Sequence, residues 1–236
     1  MSENPLDVGQ YHKNQDEYTT LVNTTISKFP NGVHLGSEYA EWIQENTARF
    51  LIRLARYKFV SKLIKKSDRV LEVGSGSGLG SIYLGQHCRE VLGIDVKSSD
   101  INEANALNKR ENVQFRMQDL FDGDEQGDFD VVVSLDVIEH MDINDGAKFL
   151  EAKARRLKDD GLFIIGTPSI YSFPYQSPIS QASHIKCYDL PELQELVERY
   201  FERSIAFSMN DELVHTGHHK MAWYYFVIGF GKKSIK

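Results

Sequence analysis

An α/β fold with a mostly parallel sheet is predicted by three observations. Between residues 69 and 166 short apolar runs alternate with helix-patterned segments, as in βαβ units. The first run, Val70-Leu71-Glu72-Val73, passes directly into the glycine-rich turn Gly74-Ser75-Gly76-Ser77-Gly78. The next apolar runs each end at an acid, Asp95, Asp119 and Asp136.

Taken in order, residues 1–36 are polar and broken by Pro5, Gly9, Pro30, Gly32 and Gly36, with a helix expected near 14–28. From Ser37 to Ile64 apolar residues fall at helical spacing (Tyr39, Trp42, Ile43, then Phe50, Leu51, Leu54), which predicts two helices. The basic residues of this stretch, among them Arg49, Arg53, Arg56 and Lys58, read as the solvated face of an amphipathic helix. Strands are expected at 69–73, 91–95, 113–117, 130–135 and, after the Asp160-Gly161 turn, 162–166. Helices are expected near 99–108 and 144–157, and over 191–200, where Pro191 suits the first turn and Asp189 the N-cap. Two late strands, 203–209 and 221–230, flank a polar loop. The connection from Thr167 to Tyr188 is long for such a fold, and long structured connections are often lids or binding loops. It leaves the sheet at the strands' carboxyl edge, where open α/β sheets bind ligands. Its aromatics Tyr171, Phe173, Tyr175 and Tyr188 suit either a flat or sugar-like acceptor or packing onto the body.

Composition sets bounds. The 236 residues are 41% apolar, enough for one good core. There is no uncharged apolar run of membrane-spanning length, and Met1–Asp7 lacks the features of a signal peptide. Cys88 and Cys187 have no metal-type spacing and form no disulfide framework, which fits a cytoplasmic protein. A formal charge of −7 argues against a broad nucleic-acid footprint.

The glycine turn, followed by a helix N-terminus, is the signature of a nucleotide-like ligand. Its glycines remove β-carbons where the backbone must approach that ligand. Asp95, 17 residues after Gly78, can accept hydrogen bonds from both hydroxyls of a ribose. Two features disfavour a dinucleotide. Leu79 stands where that fingerprint needs glycine, and Glu72 would repel a pyrophosphate while tolerating a cationic group. Asp119 is suited to accept from an adenine amino group.

With these three motifs followed in order by a fourth, the strand Phe129–Leu135 running into Asp136, the chain resembles class I S-adenosylmethionine-dependent methyltransferases, closely over roughly 55–167 and loosely in the flanks. The resemblance implies a three-layer Rossmann-like fold whose mostly parallel seven-stranded sheet ends in an antiparallel hairpin. It implies one domain over 1–236: an N-terminal helical lid (1–66), a cofactor core (67–167), an acceptor loop (168–190) and a C-terminal helix and hairpin (191–236). S-adenosylmethionine would lie with its adenosine against Asp95, Val96, Asp119 and Leu120. Gly74, Ser75, Gly76 and Gly78 would form its turn, and Glu72, Gly74 and Asp136 would face its methionine end.

Asp136-Val-Ile-Glu139-His140 follows the fourth strand. In a helical turn starting at Asp136, the two carboxylates and the imidazole share one face, suited to a divalent cation or to proton transfer. Methyl transfer needs one base at the acceptor oxygen, and His140 is the choice because its ordinary pKa lies near neutrality. This segment, with Thr167-Pro168 and the downstream His184, resembles two branches of the family. One comprises the ubiquinone-biosynthesis O-methyltransferases and related small-molecule and sugar enzymes. The other comprises the small-RNA 3′-terminal 2′-O-methyltransferases. Both carry Glu-x-x-Glu-His at this place, holding a divalent metal, and the RNA branch adds a later histidine. Here the first acid is Asp136, one methylene shorter. The resemblance thus implies catalytic roles for His140, Glu139 and His184 and a divalent-metal set of the same three residues.

His215, His218 and His219 form a second cluster, read as an exposed turn or a metal loop. The expected acceptor is a small hydroxylated molecule, a sugar or sugar-linked group, O-methylated in line. The alternatives are a metal-dependent RNA 2′-O-methyltransferase, for which the acceptor loop offers only Lys186 as a basic residue, and a non-catalytic S-adenosylmethionine-binding module. Nothing in the sequence sets the oligomeric state.

Overall fold

The computed structural model describes residues 15–122 and 129–234. The chain divides into two compact units, Met1–His34 and Leu35–Lys236. Met1–Asp7, read above for a leader, lies outside the described residues. In the first unit α1 (Gln15–Ile26) forms where a helix was expected, with Asp16 and Glu17 in its first turn, where acids complement the helix dipole.

The second unit opens with α2 (Ser37–Glu45) and α3 (Thr47–Val60), separated by Asn46, whose side chain caps α3 by accepting from Arg49 N. Then follow β1 (Arg69–Val73), α4 (Leu79–Leu84), β2 (Glu90–Asp95), α5 (Ser98–Leu107), β3 (Val113–Met117) and β4 (Phe129–Leu135). A single 3₁₀ turn (Ile138–His140) leads to α6 (Ile143–Arg155) and β5 (Leu157–Pro168). The C-terminal part holds α7 (Pro178–Ser183), α8 (Leu190–Glu198), β6 (Phe201–Asn210), β7 (Leu213–His215) and β8 (Tyr224–Lys232).

The strands form one sheet in the order β3-β2-β1-β4-β5-β8-β6-β7. The first five are parallel, and β8, β6 and β7 are antiparallel additions. The Rossmann-like sheet with its antiparallel end is therefore present, and one strand is added to the expected seven. β7 falls in the stretch read as a polar loop; its three residues pair with Ser208–Asn210, too short a run to show alternation in sequence.

Helices cover both faces. Phe149 and Leu150 of α6 and Leu193 and Val197 of α8 pack on one face, and Tyr57 and Val60 of α3 with Leu84 of α4 on the other. β4 is buried nearly throughout, as expected for a central parallel strand covered on both sides. Burying each such valine contributes about 1.5–3 kcal/mol. β1 pairs with both β2 and β4, so the strand order reverses there. The carboxyl ends of β1 and β4 therefore flank the crevice in which open α/β sheets bind ligands.

The connection after β5 is not an open loop. Ser169 accepts from Tyr171 N and Ser172 N to start a 3₁₀ segment over Ile170–Tyr175. Ser177, followed by Pro178, caps α7. A parallel bridge between Ser169 and Tyr188 closes the base. Tyr188 is fully buried whereas Tyr175 is 75% exposed, so the aromatics divide between packing and presentation.

Candidate functional site

The glycine turn is held by Gly74 N and Ser75 N donating to Ile94 O at 2.8 and 3.0 Å. Gly74, Gly76 and Gly78 all have positive φ (78°, 51° and 85°), a region that L side chains rarely adopt. Their surroundings in the protein differ. A β-carbon on Gly74 would meet Val137, and one on Gly78 would meet Phe115 and Ala104, so internal packing requires these two glycines. Of the three, only Gly76 borders open space, a cradle with room for a ligand.

Asp95 accepts from Gly76 N (2.9 Å) and Lys97 N (3.0 Å), one bond per oxygen, which fixes the carboxylate and leaves further lone pairs on each oxygen for hydroxyl donors. Gln118 N donates to Asp95 O at 2.9 Å, tying the loop after β3 to the end of β2. In that loop Asp119 is exposed and accepts from Phe121 N. Leu120 packs on the core, and Val96 is 51% exposed. Glu72 lies 1% exposed beneath the turn, with Oε2 accepting from Ser81 Oγ. Its Oε1 and Ser75 Oγ are buried without hydrogen-bond partners, atoms that a ligand's polar groups would satisfy. Burial pushes the Glu72 carboxyl up to about 7.

Asp136 departs from its expected place. It precedes the 3₁₀ turn with φ 58°, a strained left-handed conformation for a non-glycine residue, so it does not share a helical face with Glu139 and His140. Arg56 Nη1 donates to both of its oxygens (2.8 and 2.6 Å), Arg53 Nη1 lies 3.5 Å away, and Tyr224 stacks under the Arg56 guanidinium at 3.8 Å. Burial alone would raise the Asp136 pKa, but the two arginines overcome it and hold the carboxyl below its ordinary value. Arg53 and Arg56 are thus turned inward, which corrects their assignment to a solvated face. They are site residues that the sequence reading missed. Their place beside the apolar stripe of α3 was legible, but their partner 80 positions away was not.

Glu139, His140 and His184 come together. Their ligand atoms lie within 4.8 Å of one another, and this is the one group of three or more His, Cys, Asp or Glu side chains so arranged among the described residues. Glu139 is fully buried, and its Oε2 accepts from Thr167 Oγ1 at 2.9 Å. Burial, then the nearby Asp136 charge, pushes the Glu139 carboxyl up to about 8. The Ser183 carbonyl can only accept, so His140 Nδ1, 2.9 Å from it, carries the hydrogen and Nε2 the free lone pair. His184 closes α7, and its ring lies 5.1 Å from that of His140. Burial and the neighbouring His140 lower its pKa. Glu139 Oε1 and His184 Nδ1 are both buried without partners. One carboxylate and two imidazoles are a donor set for a divalent transition metal such as zinc or manganese, and two orphaned donor atoms facing one space fit such an ion.

The second histidine cluster divides: His215 bonds Asn210 (3.0 Å), while the His218 and His219 rings lie 5.7 Å apart and His219 is 3.2 Å from Asp189. A depression of about 300 Å³ lined by Arg69, Glu90 and Phe129 sits at the amino ends of β1, β2 and β4, the opposite edge from Asp95 and Asp136.

The sheet order, the glycine turn and the acids at successive strand ends define a class I S-adenosylmethionine-dependent methyltransferase, an enzyme class whose cofactor is S-adenosylmethionine. The chain belongs to the methyltransferase-domain family, whose model matches residues 39–201. A Mycolicibacterium smegmatis protein named for S-adenosylmethionine-dependent methyl transfer is 30% identical over 61% of this chain and 53% of its own. The O-antigen chain terminator bifunctional methyltransferase/kinase of Escherichia coli is 24% identical over 69% of this chain and 24% of its own. A ubiquinone biosynthesis O-methyltransferase of Bradyrhizobium diazoefficiens is 31% identical over 42% of this chain and 39% of its own. The chain therefore spans about half or less of the length of these relatives. Among solved structures, a methyltransferase from Thermotoga maritima shares the fold, with TM-score 0.66, 16% identity and coverage of 83% of this chain and 95% of its own. Among the described residues no helix is long and apolar enough to cross a membrane.

Proposed function

We propose that the chain methylates an oxygen of a small hydroxylated acceptor, a sugar or sugar-linked group, bound at the Glu139–His140–His184 group beneath the 168–190 excursion. The observation that carries this reading is the convergence of those three side chains, two with orphaned buried donor atoms, at the strand edge that bears the glycine turn. The likeness to a ubiquinone biosynthesis O-methyltransferase supports oxygen as the target, and that to an O-antigen chain terminator favours the sugar class.

S-adenosylmethionine supplies a sulfonium-bound methyl group that needs alignment and a deprotonated acceptor. Asp95 and Asp119 would hold its adenosine and ribose, with Val96 and Leu120 as walls. Gly74, Ser75, Gly76 and Gly78 would admit its backbone-facing edge, and Glu72 its cationic end. Asp136, fixed by Arg56, would line the same end. Glu139, His140 and His184 would hold a divalent cation, which lowers the pKa of a bound hydroxyl. Should the reaction proceed without a cation, His140 Nε2 is the group with a lone pair directed to take the acceptor's hydroxyl proton. An RNA acceptor is less well supported, since Lys186 is paired with Glu192 at 2.7 Å and Arg53 and Arg56 are engaged by Asp136.

The test is calorimetric titration with S-adenosylhomocysteine, with and without EDTA, beside NADH. Binding of the first in both conditions and none of NADH is expected. Labelled-methyl transfer is then assayed on oligosaccharides, phenols and RNA. Label on a sugar oxygen, lost in EDTA and restored by Mn²⁺, supports the reading, whereas label on RNA alone overturns it.

A further inference from the structure

We infer that Thr167 is a positioning residue for the Glu139–His140–His184 group, its hydroxyl fixing one carboxylate oxygen so that the other is presented to the imidazoles. The inference rests on the metal-binding part of the reading above. Thr167 is fully buried near the end of β5, where its backbone is fixed in register with Tyr225 of β8. Its β-branched side chain has restricted χ1 freedom, so the direction of Oγ1 is set by the strand. That atom donates to Glu139 Oε2 at 2.9 Å.

Glu139 needs such a partner. Its backbone is pinned, with its carbonyl accepting from Ile185 N and Lys186 N at 2.7 and 3.1 Å, but its side chain has rotatable bonds between that anchor and the carboxylate. Oε1 has no partner, and neither has His184 Nδ1, and among the described residues Thr167 gives the one side-chain hydrogen bond to the carboxylate, beside a contact from the backbone N–H of Glu139 itself. Removing it leaves the buried carboxylate without a side-chain partner and free to turn about its own side-chain bonds, while the Glu139 carbonyl stays anchored to Ile185 N and Lys186 N. Such outer partners of metal-binding side chains typically change metal affinity by about 10–100-fold.

The experiment compares the full chain with Thr167→Val, which keeps the shape and removes the hydroxyl, and Thr167→Ser, which keeps the hydroxyl. Each is titrated with Mn²⁺ by calorimetry and, separately, with S-adenosylhomocysteine as a readout of the intact cofactor half. The expected result is a Mn²⁺ affinity at least tenfold weaker in Thr167→Val, near that of the wild type in Thr167→Ser, and equal S-adenosylhomocysteine affinity in all three. Equal Mn²⁺ binding by the wild type and Thr167→Val overturns the role of Thr167 alone, as does equal weakening by both variants. A wild type that binds S-adenosylhomocysteine but no Mn²⁺ overturns the metal reading and this inference together. If Thr167→Val does not fold, Thr167→Cys replaces it under the same criteria.

Discussion

Asp136 and Glu139 stand three positions apart at the end of the same strand, yet their environments are opposite. Asp136 faces α3, where Arg53 and Arg56 keep it charged. Glu139 turns into the body beneath the excursion, receives one hydroxyl from Thr167, and is pushed toward the neutral form by burial. The difference shows that an Asp-x-x-Glu spacing does not make a matched pair of acids. What surrounds each carboxylate is set by elements distant in sequence, and here those elements separate a charged acid held by two arginines from a buried acid beside two histidines.

The largest expected effect lies on the acceptor side. Replacing Glu139 with Ala removes the only acid from the three-residue group, and turnover should fall by about 10³-fold with S-adenosylhomocysteine affinity retained; calorimetry and a methyl-transfer assay on the same preparation check both halves. Loss of cofactor binding as well would erase the distinction between the two sides. At Asp136, Arg56→Met removes the guanidinium whose Nη1 donates to both carboxylate oxygens in a half-buried site. It should destabilise the chain by about 3 kcal/mol in urea unfolding.

Glu72, buried below the glycine turn, gives a pH test. Its folded-state pKa is raised from 4.5 to about 7. The associated stability is complete below the unfolded value and is lost as pH rises to about 7, because only the unfolded chain ionises within that window. Between pH 5 and 8 the wild type should therefore lose about 2 kcal/mol relative to Glu72→Gln. A constant difference across that range would show that Glu72 is already ionised when folded. The smallest effect is expected at Asp95, the proposed ribose contact: Asp95→Ala should weaken S-adenosylhomocysteine binding about tenfold through loss of charge-assisted hydrogen bonds.

Much of this molecule was legible in the chain itself. The runs at 69–73, 91–95, 113–117 and 130–135 became β1 to β4 within a residue, because buried parallel strands need apolar runs with sharp ends and βαβ alternation leaves few topologies. The Gly74–Gly78 turn and the acids at 95 and 119 were readable for the same local reason: backbone conformation and strand-end position follow from near neighbours. Sequence position also put Glu139 and His140 at the site, since the end of a central strand can only open at the sheet edge.

What the sequence did not determine depends on contacts between distant segments. That Gly74 and Gly78 also have to leave room for Val137 and Phe115 was decided by tertiary neighbours. The inward turn of Arg53 and Arg56 required Asp136 to reach α3, and the left-handed backbone at Asp136 has no local signature. The meeting of His184 with Glu139 and His140 required the excursion to fold back through Ser169 and Tyr188 and to anchor on the Glu139 carbonyl. Periodicity and turn chemistry are short-range and can be read along the chain. Charge pairing and convergence of side chains are long-range, and only the closed sheet with its flanking helices brings them about.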